Sequence, residues 1–201
     1  MKKTAVFGGT FDPLHIGHVI LAQFILNNGY AEKILFIPSF NPPHKQNKVI
    51  TEFKHRFNMI KIETDKNCKF EVSDIEKNMA IPSYTYNTLK KLKYYRKEED
   101  LCLLIGQDQF EEFHTWHKYI DIINEFQIIV FRRSNKKIII PNYFKNKDIV
   151  FIKNDIIPVS STEIRKAIKL KEEFRYKVTE DIWTYIIEND IYYSKESSDV
   201  S

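Results

Sequence analysis

The stretch Val6-Phe7-Gly8-Gly9-Thr10-Phe11-Asp12-Pro13-Leu14-His15-Ile16-Gly17-His18 ends an apolar run in two glycines and then sets two histidines three positions apart with a glycine between them. Paired glycines let a phosphate approach the backbone closely, and a helix starting near Ile16 offers unpaired N–H groups and the positive end of its dipole. At spacing i and i+3, His15 and His18 share one face of that helix at the same end. Each imidazole can donate to phosphate oxygens, more strongly when protonated. Gly17 is expected to leave space for a ligand against the helix. The combination predicts an anion site, and a nucleoside triphosphate suits it.

Four further segments carry groups of related chemistry. In Val159-Ser160-Ser161-Thr162-Glu163-Ile164-Arg165, Ser160 and Glu163 form a capping box, so the remaining N–H groups of a helix start can hold phosphate with Arg165 one turn along. Asp108 follows an apolar run and Gly106, so its carboxylate either reaches a cleft, where it can accept from ribose hydroxyls, or caps the next helix. Pro42-Pro43 stiffens a loop bearing His44 and Lys45, which suits a substrate phosphate or simply faces solvent. Ser83 and Thr85 flank a helix start at Tyr84, where N–H groups are capped or receive a carboxylate. Trp116 offers a flat face for a planar ring, or fills the core. His55 and His114 receive no role, and the run Arg132-Arg133-Ser134-Asn135-Lys136-Lys137 reads as a solvated loop.

These groups need a frame that gathers them. Short β-rich runs at 4–7, 33–37, 70–75, 101–105, 127–131 and 149–152 alternate with stretches of helical spacing at 16–28, 52–64, 84–95 and 111–124. Two more helices are predicted at 161–171 and 179–189. That alternation predicts an α/β, Rossmann-like, doubly wound and mainly parallel sheet with helices on both faces and a helical C-terminal segment. In such folds ligands bind beyond the carboxyl ends of the strands, where most of the segments above fall. One domain over 1–193 is expected, with a frayed polar tail at 194–201. A net charge of +4 is too mild to argue for nucleic acid, and no 18-residue apolar span argues for a membrane. Cys68 and Cys102 stand in unlike contexts, without the spacing of a disulfide framework or zinc site, so a cytoplasmic setting is expected.

The segment GGTFDPLHIGH resembles the signature of the nucleotidylyltransferase superfamily, whose H-x-G-H histidines bind the phosphates of a nucleoside triphosphate. Together with Asn41-Pro42-Pro43-His44-Lys45, Pro82-Ser83-Tyr84-Thr85 and Gly106-Gln107-Asp108 followed by Thr115-Trp116, it resembles the bacterial nicotinate-nucleotide adenylyltransferases. That resemblance implies joining of nicotinate mononucleotide to the AMP part of ATP, giving deamido-NAD and pyrophosphate. It implies ATP binding by Gly8, Gly9, Thr10, Phe11, His15, His18, Gly106, Asp108, Ser161, Thr162 and Arg165, with Mg²⁺ accompanying the triphosphate. His18 and then His15 are the groups expected to touch the transition state. Nicotinate mononucleotide is assigned to His44, Lys45, Ser83, Tyr84, Thr85, Trp116 and His117; the last position is often tyrosine in the family. The resemblance implies no nucleic-acid or membrane partner and leaves a homodimer open. Pantetheine-phosphate adenylyltransferase, with a similar opening and S-S-T segment, and a non-catalytic nucleotide-binding module are the alternatives.

Overall fold

The computed structural model describes residues 2–42 and 50–193. Six strands, β1 (Lys2–Gly9), β2 (Lys33–Pro38), β3 (Phe70–Val72), β4 (Glu99–Gly106), β5 (Gln127–Phe131) and β6 (Ile149–Phe151), form one sheet in the order β3-β2-β1-β4-β5-β6. Every pairing is parallel. Seven helices accompany them among the described residues: α1 (Ile16–Asn27), α2 (Phe53–Thr64), α3 (Thr85–Tyr95), α4 (Gln107–Glu111), α5 (Tyr119–Glu125), α6 (Ser161–Lys169) and α7 (Glu180–Glu188).

Successive strand residues point to opposite faces, which is why the strands read as unbroken apolar runs. Ala5 and Phe7 of β1, Cys102 and Leu104 of β4, and Ile129 and Phe131 of β5 enter a core covered by α1, α2, α6 and α7. Val6, Leu103 and Val130 enter a second core on the other face, covered by α3, α4 and α5. The doubly wound sheet is therefore as expected, and fully parallel. Chain connections leave β1 and β4 in opposite directions along the sheet, so a crevice opens beyond their carboxyl ends.

Two departures from the predicted elements bear on that crevice. The helix expected over 111–124 is broken into α4, a 3₁₀ turn at Phe113–Thr115, and α5. Phe110, Phe113, Ile122 and Ile123 all enter the same core, but between them Trp116 is extended and Lys118 left-handed, at φ 53°. That break exposes Trp116 and His117 at the crevice rather than along a helix flank. The strand expected over 70–75 stops at Val72, and a 3₁₀ turn at Ile75–Asn78 carries Glu76 inward.

Candidate active site

The H-x-G-H segment caps and opens α1. His15 is the N-cap, with extended backbone, and its own N–H donates to His18 Nδ1 at 3.2 Å. That bond fixes the His18 tautomer, because an accepting Nδ1 leaves the proton on Nε2. The two rings stack with centroids 3.6 Å apart and planes 26° apart. On its other sides His18 meets Phe11 and Phe7 edge-on, at 5.0 and 5.8 Å. Burial first and the Arg133 guanidinium second bring His15 down to about 4. Burial, then His15 and Arg133, hold His18 well below the ordinary imidazole range. Both rings are thus neutral donors at pH 7, whereas the sequence left a protonated form open.

The glycines serve different neighbours. A Cβ on Gly8 would meet nothing within 4 Å, which is the open approach expected for a phosphate. On Gly9 it would lie 3.0 Å from the Phe11 ring, and on Gly17 it would lie 3.1 Å from His15 Nδ1. Gly17 therefore makes room for the His15 imidazole itself rather than for a ligand. Phe11 likewise turns its ring into the core, 3% exposed, so its side chain backs His18 instead of facing a nucleotide.

The second phosphate segment is tied directly to the first. Ser160 caps α6, its hydroxyl accepting from the Glu163 N–H at 3.2 Å. Ser161 Oγ donates to the Pro13 carbonyl at 2.9 Å, and Arg165 Nη1 donates to the Asp12 carbonyl at 2.6 Å. Thr162 Oγ1 accepts from Arg165 Nη2 at 3.4 Å. The amino ends of α1 and α6 thus converge from positions about 150 residues apart.

Asp108 stands in the first turn of α4 beyond β4, half-exposed, and pairs with Arg133 at 3.2 Å. Gly106 is buried just behind them, not on the wall: a Cβ there would come 2.6 Å from Asp108 Oδ1 and 2.8 Å from Arg133 Nε. Gly106 therefore permits the Asp108–Arg133 pair and offers no surface to a nucleotide. Arg132 and Arg133 lie in the expected loop after β5, Arg133 exposed, and they also line the crevice, a role the sequence reading did not give them. Their position after β5 was the available signal, since strand carboxyl ends form the site in this fold.

On the far side, Ser83 is buried, its N–H donating to the Asn41 carbonyl at 3.1 Å and its hydroxyl accepting from the Asn41 N–H at 3.4 Å. Tyr84 caps α3 without a side-chain bond, and its ring stacks on His117 at 4.4 Å. Trp116 packs against Phe113 at 4.9 Å with part of its surface toward the crevice. Two residues here carried no sequence motif. Glu76, 6% exposed, accepts from the Phe40 N–H and from Thr88 Oγ1, and burial raises its carboxyl above the usual range. Arg56, 2% exposed, donates to the carbonyls of Thr10, Ser39 and Thr51, pinning the β1 and β2 loops together. His44 and Lys45 lie outside the described residues.

One crevice of about 1020 Å³ receives the two imidazoles, Arg165, Asp108, Thr85 and Trp116 alike. A doubly wound sheet with two helix amino ends facing one cavity at its switch point is the arrangement of a nucleotide-binding α/β protein. The cytidylyltransferase-like family model matches residues 6–167. The "Probable nicotinate-nucleotide adenylyltransferase" of Clostridium tetani is 38% identical, the match covering 96% of this chain and 100% of that one. The nicotinate-nucleotide adenylyltransferase of Bacillus subtilis is 34% identical over the same shares. The fold is also that of a Plasmodium falciparum nicotinic acid mononucleotide adenylyltransferase solved with NaAD, with a TM-score of 0.78 at 23% identity over 96% and 98% of the two chains. The chain belongs to the cytidylyltransferase-like family and, within it, to the nicotinate-nucleotide adenylyltransferases.

Proposed function

We propose that this chain transfers the adenylyl group of ATP to nicotinate mononucleotide, releasing pyrophosphate and deamido-NAD in NAD biosynthesis. The observation that carries the reading is the joining of the His15–His18 pair to the α6 amino end through Asp12 and Pro13, in a crevice that also holds Trp116 and the start of α3. A phosphate oxygen of the mononucleotide attacks the α-phosphorus of ATP in line, and the bond from that phosphorus to the α,β-bridging oxygen breaks. The attacking group is already an anion, so no protein base is required. What the protein contributes is alignment of the two phosphates and donors aimed at the charge on the α-phosphate oxygens.

His18 Nε2–H and His15 serve the α-phosphate, while Ser161, Thr162, Arg165 and the α6 N–H groups receive the β- and γ-phosphates. Gly8 admits the triphosphate, Thr10 belongs to the same turn, and Asp108 accepts from the ribose. The nicotinate carboxylate meets the start of α3 at Ser83, Tyr84 and Thr85, with the pyridine ring against Trp116 and beside His117. Among the described residues no cluster of three or more His, Cys, Asp or Glu side chains could hold a metal ion. In this reading Mg²⁺ accompanies ATP as part of the substrate. The reading places the enzyme in the cytoplasm, acting on free nucleotides; among the described residues no helix is long and apolar enough to cross a membrane.

The test supplies ATP and Mg²⁺ with nicotinate mononucleotide, nicotinamide mononucleotide or phosphopantetheine and measures pyrophosphate. Release with nicotinate mononucleotide well above both others is expected. Preferential release with phosphopantetheine, or with none of the three, overturns the reading.

A further inference from the structure

Past α7 the chain ends its described part in a short strap that reaches the turn after β1. Ile191 is buried in the core that α1, α2, α6 and α7 share with the sheet, its N–H donating to the Ile186 carbonyl at 3.0 Å. Tyr192, with a left-handed backbone at φ 73°, then carries its phenol to the turn after β1, where it donates to Asp12 Oδ1 at 2.8 Å. The Thr51 side chain hydrogen-bonds the same phenol oxygen. Burial, then the Asp12 carboxylate, push the phenol well above its ordinary range, so it remains a donor. Asp12 is 4% exposed, and its other carboxylate oxygen faces Arg165 Nη1 at 3.8 Å while its carbonyl accepts from the same nitrogen at 2.6 Å.

A left-handed tyrosine is costly backbone, and the conformation delivers a hydroxyl to one carboxylate inside the phosphate turn. That carboxylate lies among groups of opposite kind, the Tyr192 phenol and the Arg165 guanidinium, with the Arg56 guanidinium also in its field. Resting on the adenylyl-transfer reading, we infer that Tyr192 is a positioning residue for the triphosphate: it seats the Asp12 carboxylate, and Asp12 in turn aligns the Arg165 guanidinium at the amino end of α6. The strap thereby supports the ATP end of the crevice through Asp12 and, among the described residues, makes no hydrogen bond of this kind to the α3 end, where the mononucleotide is assigned.

The experiment measures binding of Mg²⁺–ATP and of nicotinate mononucleotide separately by calorimetry. Tyr192→Phe is expected to raise the Kd of ATP about tenfold, the loss of one hydrogen bond to a charged group, and to leave the Kd of nicotinate mononucleotide within about twofold. In an Arg165→Lys background, Tyr192→Phe should weaken ATP binding little further, because the group it positions is already gone. Should Tyr192→Phe fold poorly, Asp12→Asn keeps the phenol contact and removes the charge facing Arg165; the same split between ligands is expected. Equal weakening of both ligands, an unchanged ATP Kd in a folded variant, or a full tenfold loss persisting beside Arg165→Lys overturns the inference. A wild-type chain that binds ATP but not nicotinate mononucleotide overturns the functional reading instead, and leaves the ATP comparison legible.

Discussion

Two charged imidazoles 3.6 Å apart would repel by about 5 kcal/mol even at an effective dielectric of about 20, so the His15–His18 stack is compatible with at most one proton. The pair therefore works by preset N–H dipoles, with the His18 tautomer fixed by the His15 N–H. His18→Ala should lower kcat for pyrophosphate release by about 10²–10³ while the KM for ATP moves much less; near-normal turnover would remove His18 from the transition state. The depressed His15 value also sets a pH dependence of stability. Its folded value, about 4, lies below the unfolded value near 6.5, so the unfolded chain binds the proton first as pH falls. Stability from this residue is intact above about 6.5 and declines down to about 4, by roughly 2 kcal/mol at pH 5. Thermal melts should show the wild-type midpoint losing ground to His15→Gln between pH 7 and 5, and parallel curves would refute the assignment. At this scale the histidines, Ser161, Arg165 and Asp108 were legible because their chemistry lies in spacing along one segment. Arg56, Glu76 and Arg133 were not, since each acquires its role from carbonyls, N–H groups or carboxylates supplied by other segments.

Helix α1 is shaped around its first turn. Alanine at Gly17 favours a helix by up to about 1 kcal/mol, yet its Cβ falls 3.1 Å from a His15 ring already held against His18. Gly17→Ala is expected to leave the thermal midpoint level or slightly raised while kcat drops about tenfold or more; a variant with full activity would show that the ring can yield. Arg56, in the first turn of α2, has the opposite profile. Arg56→Met strands the carbonyls of Thr10, Ser39 and Thr51, three buried or half-buried acceptors, at a cost of about 3 kcal/mol or more. Chemical denaturation should register that loss, and a cost under about 1 kcal/mol would mean the loops hold themselves. The element pattern explains what periodicity could and could not convey. Spacing found α1, α2, α3, α6 and α7 to within one or two residues, because each buries a stripe against the sheet. It also ran a single helix over 111–124, across a break made by the extended Trp116 and the left-handed Lys118, backbone states that apolar spacing does not record.

At the scale of the whole molecule, alternating strands and helices define a parallel sheet but not its order, which is a property of which strands pair. The order β3-β2-β1-β4-β5-β6 puts β1 and β4 side by side, and with them the H-x-G-H turn and Asp108. The resulting crevice has two ends built from different parts of the chain: α1, α6 and the Asp12 turn at one, and α3 with Trp116 and Tyr84 at the other. Each substrate should then stabilise its own end as well as the whole. At one hundred times its Kd either ligand adds about 2.7 kcal/mol to the folded state, which for a chain of this length corresponds to a rise of roughly 5–10 °C in Tm. Hydrogen exchange separates the ends. ATP should slow exchange in the first turns of α1 and α6, whereas nicotinate mononucleotide should slow it at the start of α3 and around Trp116. Protection of the same segments by both ligands would place them at one end of the crevice and remove the side-by-side geometry that in-line transfer between them requires.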